Sequence, residues 1–196
     1  PTGVVNITES GVEMASGDRH DVDVLIYATG FDSNHIPFPV TGRDGVTLAD
    51  QYGANEANNW QMTRPQSLWG MHVENLPNFY LMIGPQSLNP VTNVTLLCEE
   101  QGKYIANLVA RMRQEGVHEV EPKVEAVADW TARCNASADG KVWLRCNNWY
   151  MKSTKSDVEA GRERSQGMWM ETYETYLQHV LGGAGGDQDT LLRFRA

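Results

Sequence analysis

Between Asn78 and Gln101 the chain reads NFYLMIGPQSLNPVTNVTLLCEEQ, and this stretch constrains the fold more than any other. NFYLMIG is an almost wholly apolar run of strand length, rich in aromatic and branched residues, so it predicts a strand buried on both faces. Gly84-Pro85 breaks the run into a polar loop, QSLNPVTN, after which an amphipathic helix begins. In open α/β sheets, ligands sit where the carboxyl end of a strand passes into a loop and helix. The helix N-terminus adds free N–H groups and a partial positive charge. A bound cofactor is the expectation at this junction; a strand-loop-helix unit with nothing bound is the competing one.

The segments before it follow the same logic. Gly3 to Thr8 and Val12 to Ala15 are short strand patterns around turns at Glu9-Ser10-Gly11 and Ser16-Gly17-Asp18, which predicts a hairpin. Val22 to Ala28 (VDVLIYA) is apolar except for Asp23 and reads as a second buried strand, ending at Thr29-Gly30. Residues 31–69 have no strong period. Pro37, Pro39 and Pro65, with Gly42, Gly45 and Gly53, make them a long excursion of turns with one short helix. Loops of that length are usually functional or packed on another part of the molecule.

Downstream, the helix is predicted from about Thr92 to Glu115, about 35 Å long at ~1.5 Å per residue. Val94, Leu97, Tyr104, Ile105, Leu108, Val109 and Met112 share one face. Thr92 or Asn93 suits the N-cap, and Gly116 the C′ position. A second helix is expected to open with Pro122 at N1 and to turn Val124, Val127, Ala128 and Trp130 inward. Lys141 to Cys146 reads as a short strand. A last helix, about Gln166 to Leu181, would place Met168, Trp169, Tyr173, Leu177 and Val180 on one side. The tail GGAGGDQDT reads as flexible. Its GGAGG follows a helix rather than a strand, so it lacks the context of a dinucleotide-binding fingerprint.

Composition excludes several functions. A formal net charge of −9 disfavours nucleic acid and anionic membranes, which need clustered Lys and Arg. The one dense basic run, Lys152 to Arg164, also carries Asp157, Glu159 and Glu163. Cys98, Cys134 and Cys146 form no CxxC pair, which fits reduced thiols in a cytosolic protein. Sequons at Asn6, Asn93 and Asn135 follow no signal peptide, so glycosylation is not expected. No apolar run approaches the ~18 residues of a membrane helix. His20, His35, His72, His118 and His179 lack ligand spacing, so no metal is expected, and no Ser-His-Asp set can be assembled. The chain begins at Pro1 and enters a strand pattern almost at once, which reads as the later part of a longer polypeptide.

Five segments, in order, carry a family resemblance. DVLIYATGFD (Asp23 to Asp32) resembles the ATG-aromatic junction of two-dinucleotide flavoproteins, and among them most the Baeyer-Villiger class of flavin monooxygenases. LWGMHVENLPNFYLMIGP resembles that family's Y-x-G…x-P-N-strand-GP stretch, and TNVTLLCEEQ its TN…E-Q helix start. The segment of Pro122 and Trp130 resembles its A…W helix, and NNWY, ending at Trp149-Tyr150, the S-W-Y of its mobile gating loop. The likeness spans about Val12 to Leu181.

The departures are informative too. The glycine-rich FAD and NADP fingerprints, the F-x-G-x-x-x-H-x-x-x-W signature and the arginine beside the flavin are absent. After Tyr150 the chain reads MKSTKSDVEAGR where the family often has GxNxPGK. The resemblance therefore implies an α/β fold that is the C-terminal portion of a two-dinucleotide-binding flavoprotein with a helical C-terminal segment. Residues 1–30 would end the NADP-binding domain and form the crossing strand. Residues 31–196 would belong to the FAD-binding domain, with the gating loop near 147–165.

In the family NADPH reduces FAD, O₂ adds to give a flavin peroxide, and attack on a ketone gives an ester or lactone. By resemblance, Gly84, Pro85, Thr92, Asn93, Val94 and Trp149 would bind FAD or NADPH, and Asn89, Pro90 and Val91 would shape the substrate pocket. No catalytic residue is expected within this chain. Plainer readings stand beside these: Asn93 as an N-cap only, residues 89–91 as a surface loop, Trp149 as a core anchor. Lys152, Lys155 and Arg162 would reach a phosphate or be solvated, and Thr29-Gly30 and Asp32 would serve the crossing between domains. The implied partners are the missing N-terminal part, a ketone and O₂. The alternatives are an N- or S-oxygenating flavin monooxygenase and a non-catalytic interaction domain derived from such an enzyme.

Overall fold

The computed structural model describes residues 3–28, 38–58, 62–88, 92–142, 151–152, 165–166, 168–181 and 188–196. The chain parts into two units, Pro1–Ser33 and Asn34–Ala196. In the first, β1 (Val4–Ile7), β2 (Gly11–Met14) and β3 (Arg19–Asp21) form an antiparallel sheet in sequence order. Both expected turns are present. The Thr8 hydroxyl accepts the Gly11 amide at 3.1 Å, and Gly17 has φ 88°, a conformation glycine adopts without strain. The hairpin thus gains a third strand.

The strand expected over Val22 to Ala28 does not form. These residues pair with no described strand; Val24, Ile26 and Tyr27 are 75%, 82% and 71% exposed. An apolar run states that a segment gains by burial, not what buries it, and no neighbouring strand is supplied among the described residues.

The second unit opens with α1 (Leu48–Tyr52), held by a reciprocal capping box between Thr47 and Asp50. It buries Leu48 and Tyr52 against Val73 and Leu76. The main core forms around α2 (Val94–Glu115), with Asn93 as N-cap and Gly116 at φ 67° closing it, as the sequence predicts. Leu97, Tyr104, Leu108 and Met112 face inward, each worth about 2 kcal/mol of apolar burial. Val94 and Val109, expected on that face, are exposed.

Next come β5 (Glu119–Pro122) and α3 (Val124–Ser137). Pro122 closes a strand instead of opening the helix; Lys123 is the N-cap. Ala126, Val127, Trp130 and Cys134 are inward, while Val124 and Ala128 are exposed. Of the strand expected over residues 141–146, Lys141 and Val142 lie in a turn and the rest falls outside the described residues.

The predicted last helix is shorter than its pattern. After β6 (Met151–Lys152) and β7 (Ser165–Gln166), an antiparallel pair, Met168–Trp169 forms β8 and only Tyr173–Val180 is helical (α4). Thr172 caps α4 through the Thr175 amide, which fixes its start. Of the tail expected to be flexible, residues 182–187 lie outside the described residues, while Gln188–Leu191 is a helical turn (α5) and Leu192–Arg195 (β9) pairs antiparallel with β5. Buried Glu121 on β5 meets Arg43, Arg193 and Arg195 at 3.7, 3.4 and 3.3 Å, so charge as well as pairing holds β9.

The run Asn78 to Gly84 is not a buried strand either. Asn78 and Ile83 have φ of 58° and 55°, outside the extended region, and Met82 is 48% exposed. The segment runs beside Gly70–His72 instead, with the Leu81 and Gly84 amides donating to the Met71 and Gly70 carbonyls at 2.9 Å and a single bridge from Tyr80 to His72. It leads into β4 (Ser87–Leu88), which pairs parallel with β8.

Candidate functional site

The approach to the α2 N-terminus is built by two buried glutamines. Gln86 is fully buried at φ 64°, a left-handed conformation that costs a non-glycine residue about 1 kcal/mol and needs compensation from its surroundings. Its Oε1 accepts the Ser67 amide at 3.0 Å and its Nε2 donates to the Thr131 hydroxyl at 2.9 Å. That hydroxyl, with one proton, donates to the Val127 carbonyl at 2.8 Å. The Gln86 carbonyl accepts the Trp130 indole N–H at 3.0 Å. The Pro85 carbonyl takes the Ser67 hydroxyl. The loop is thereby bolted to α3.

Gln101, 1% exposed on the inner face of α2, ties the other side. Its Oε1 accepts the Ile83 amide at 2.8 Å, and its Nε2 donates to the Ser87 hydroxyl at 3.1 Å and to the Tyr176 hydroxyl at 2.8 Å. Tyr176 in turn donates to the Trp69 carbonyl at 2.6 Å. Residues on both sides of Gly84-Pro85 are thus fixed to α2 and α4 with every partner satisfied, the condition under which a buried polar network rigidifies.

Gly84 is required locally: a Cβ there would stand 2.7 Å from the Gly70 carbonyl oxygen, too close for any side chain. Gly84, Pro85 and Thr92 are half-buried; Asn93 is exposed and Val94 is 50% exposed. The Asn93 Oδ1 accepts the Thr95 and Leu96 amides at 3.0 and 3.2 Å, so its capping role is real. The Val94 amide is the first-turn donor that this cap does not serve. Asn89, Pro90, Val91 and Trp149 lie outside the described residues, as do Thr29, Gly30, Asp32, Lys155, Arg162 and the side chain of Lys152. Of the expected site, the structure describes residues 84–85 and 92–94 and not its substrate and gating residues. Gln86, Thr131 and Tyr176 were not expected; Gln101 had a signal, a polar residue on the apolar stripe between Leu97 and Tyr104.

The titratable groups behind the loop are silent. The His72 Nε2 lies 2.9 Å from the Tyr104 hydroxyl, amid edge-on contacts with Trp69, Tyr80 and Tyr104. Complete burial pushes its pKa down to about 3, so it is neutral. Burial also pushes the Tyr104 and Tyr176 phenols and the Cys134 thiol up. None can act as an acid or base near neutrality. Among the described residues there is no cluster suited to a metal ion, and no helix long and apolar enough to cross a membrane. A cavity of about 490 Å³ lies elsewhere, lined by Val40, Gly42, Arg43, Leu76, Phe79 and Glu119.

This architecture is shared with solved structures. A cyclohexanone monooxygenase from Rhodococcus sp. Phi1 bound to NADP+ superposes with a TM-score of 0.75 at 24% identity, covering 100% of this chain and 34% of that one. A closed form of cyclohexanone monooxygenase gives 0.74 at 25% identity, with 98% and 34% covered. The fold is that of an α/β fragment of the two-dinucleotide-binding flavoproteins. No protein-family model matches the chain. Among curated proteins, a Baeyer-Villiger monooxygenase from Pseudooceanicola batsensis is 33% identical over 149 residues, 74% of this chain and 25% of its own length. A cyclohexanone 1,2-monooxygenase from Acinetobacter sp. is 30% identical over the same shares. The chain is related to the Baeyer-Villiger monooxygenases, and it spans about a quarter of the length of these curated relatives.

Proposed function

We propose that this chain is the C-terminal part of a cytoplasmic FAD- and NADPH-dependent Baeyer-Villiger monooxygenase, which inserts one oxygen atom of O₂ beside a ketone carbonyl to give an ester or lactone. Residues 1–30 close the NADP-binding domain and 31–196 the FAD-binding domain; the preceding polypeptide supplies the rest of both. The flavin, when bound, supplies the oxygen-activating chemistry. This chain's residues position and shelter it.

The observation that carries the reading is the α2 start, a helix N-terminus whose Asn93 and Val94 are exposed, in a chain where Gln86 and Gln101 hold residues 83–87 in place. The Val94 amide and the helix dipole would favour negative charge developing on a group held there. Gly84, Pro85, Thr92, Asn93 and Val94 would hold the flavin, with Asn93 also capping the helix; Asn89 to Val91 would shape the ketone pocket, and Trp149 would hold NADPH. The apolar segment 22–28, exposed in this chain, supports a neighbour that buries it.

The test is the complete polypeptide incubated with NADPH, O₂ and a cyclic ketone. A yellow protein forming the lactone with matched NADPH consumption supports the reading. Oxygenation of amines or sulfides with no lactone moves it to the N- or S-oxygenating class, and colourless protein indifferent to FAD refutes it.

A further inference from the structure

Gln101 is polar, deeply buried and on the apolar face of α2, a placement that disfavours folding unless its amide is fully used. Its bonds clamp both sides of the Gly84-Pro85 turn, through Ile83 before it and Ser87 after it, and tie them to Tyr176 on α4, which itself grips the Trp69 carbonyl. Gln101 lies two turns along the same helix from Val94, so one rigid rod joins this clamp to the proposed flavin-facing end.

We infer that Gln101 is a positioning residue for the flavin: it sets where the 83–88 loop stands relative to the α2 N-terminus, and hence the geometry of the ring site. The inference rests on the flavin-binding reading above. Side chains of similar length without an amide fill the space but leave the Ile83 amide and the Ser87 and Tyr176 hydroxyls unserved, and the loop shifts to recover partners.

The test compares Gln101→Met with Val120→Ala, a core change on β5, in the complete flavoprotein. FAD affinity and the fine structure of the flavin absorbance band are measured beside thermal unfolding. Gln101→Met is expected to weaken FAD binding at least tenfold and blur the band, while Val120→Ala, though destabilised, leaves both unchanged. Should Gln101→Met not fold, Ser87→Ala and Tyr176→Phe each remove one arm of the clamp and are expected to weaken binding about threefold. If Gln101→Met, or both milder variants, retain wild-type affinity and spectrum, the inference is overturned while the flavin reading stands. If the two changes weaken binding in proportion to stability alone, Gln101 is only structural and the inference is likewise overturned. Wild-type protein that takes up no FAD removes the reading on which both depend.

Discussion

Replacing His72 with glutamine tests whether the aromatic cage behind the loop is as dry as its geometry indicates. A histidine with pKa about 3 in the folded chain and ~6.5 in the unfolded one takes up its proton only on unfolding between those values. The sign follows: above about pH 6.5 it has no effect, and below it stability falls by about 1.4 kcal/mol per pH unit until the folded pKa is reached. At about pH 5 the loss is roughly 2 kcal/mol, equivalent to about 4–8 °C in Tm for a chain of this size. His72→Gln removes the titration and can still bond the Tyr104 hydroxyl, which lies 2.9 Å from Nε2 in the native chain. The assay is urea unfolding followed by Trp fluorescence from pH 8 to about pH 4. Wild-type and variant curves are expected to converge in slope above about pH 6.5 and to separate below it, the wild type losing more. Parallel curves throughout would refute the argument, because they would mean that the folded state accepts the proton.

Gln86→Leu removes the acceptor for the buried Ser67 amide and the donor to Thr131, and is expected to cost about 2–4 kcal/mol, read as a lowered denaturation midpoint with an unchanged m-value. Asn93→Ala uncaps the Thr95 and Leu96 amides and should cost about 1 kcal/mol, whereas Asn93→Asp keeps the acceptor and should unfold within a degree or so of wild type. Glu121→Gln leaves the guanidiniums of Arg43, Arg193 and Arg195 facing no charge at that position; a loss of about 1–2 kcal/mol is expected, and it should shrink in about 1 M salt.

Helix α2 was legible to within two residues because its signals are local: a cap, a periodic face and a terminal glycine. So were the turns near Gly11 and Gly17. The buried strands expected at 22–28 and 78–84 fail for one shared reason: apolarity marks a need for burial, and pairing partners are a property of the assembled sheet. Left-handed Asn78, Ile83 and Gln86 are set by tertiary bonds and carry no glycine to announce them. The β5–β9 and β4–β8 pairings join segments 70 or more residues apart, beyond any periodic signal. Within the candidate site, the Asn93 cap was readable from the sequence. The site's supports were not, since Gln86 in a polar loop looks solvated and Thr131 looks like a surface helix residue.

The most direct test of the central claim is amide hydrogen exchange on the complete polypeptide with and without FAD. Slowed exchange at Asn93 and Val94 on adding FAD, with the Ile83 and Ser87 amides already protected before it, is the predicted result. FAD binding that leaves the Asn93 and Val94 amides exchanging at their unliganded rates would contradict it.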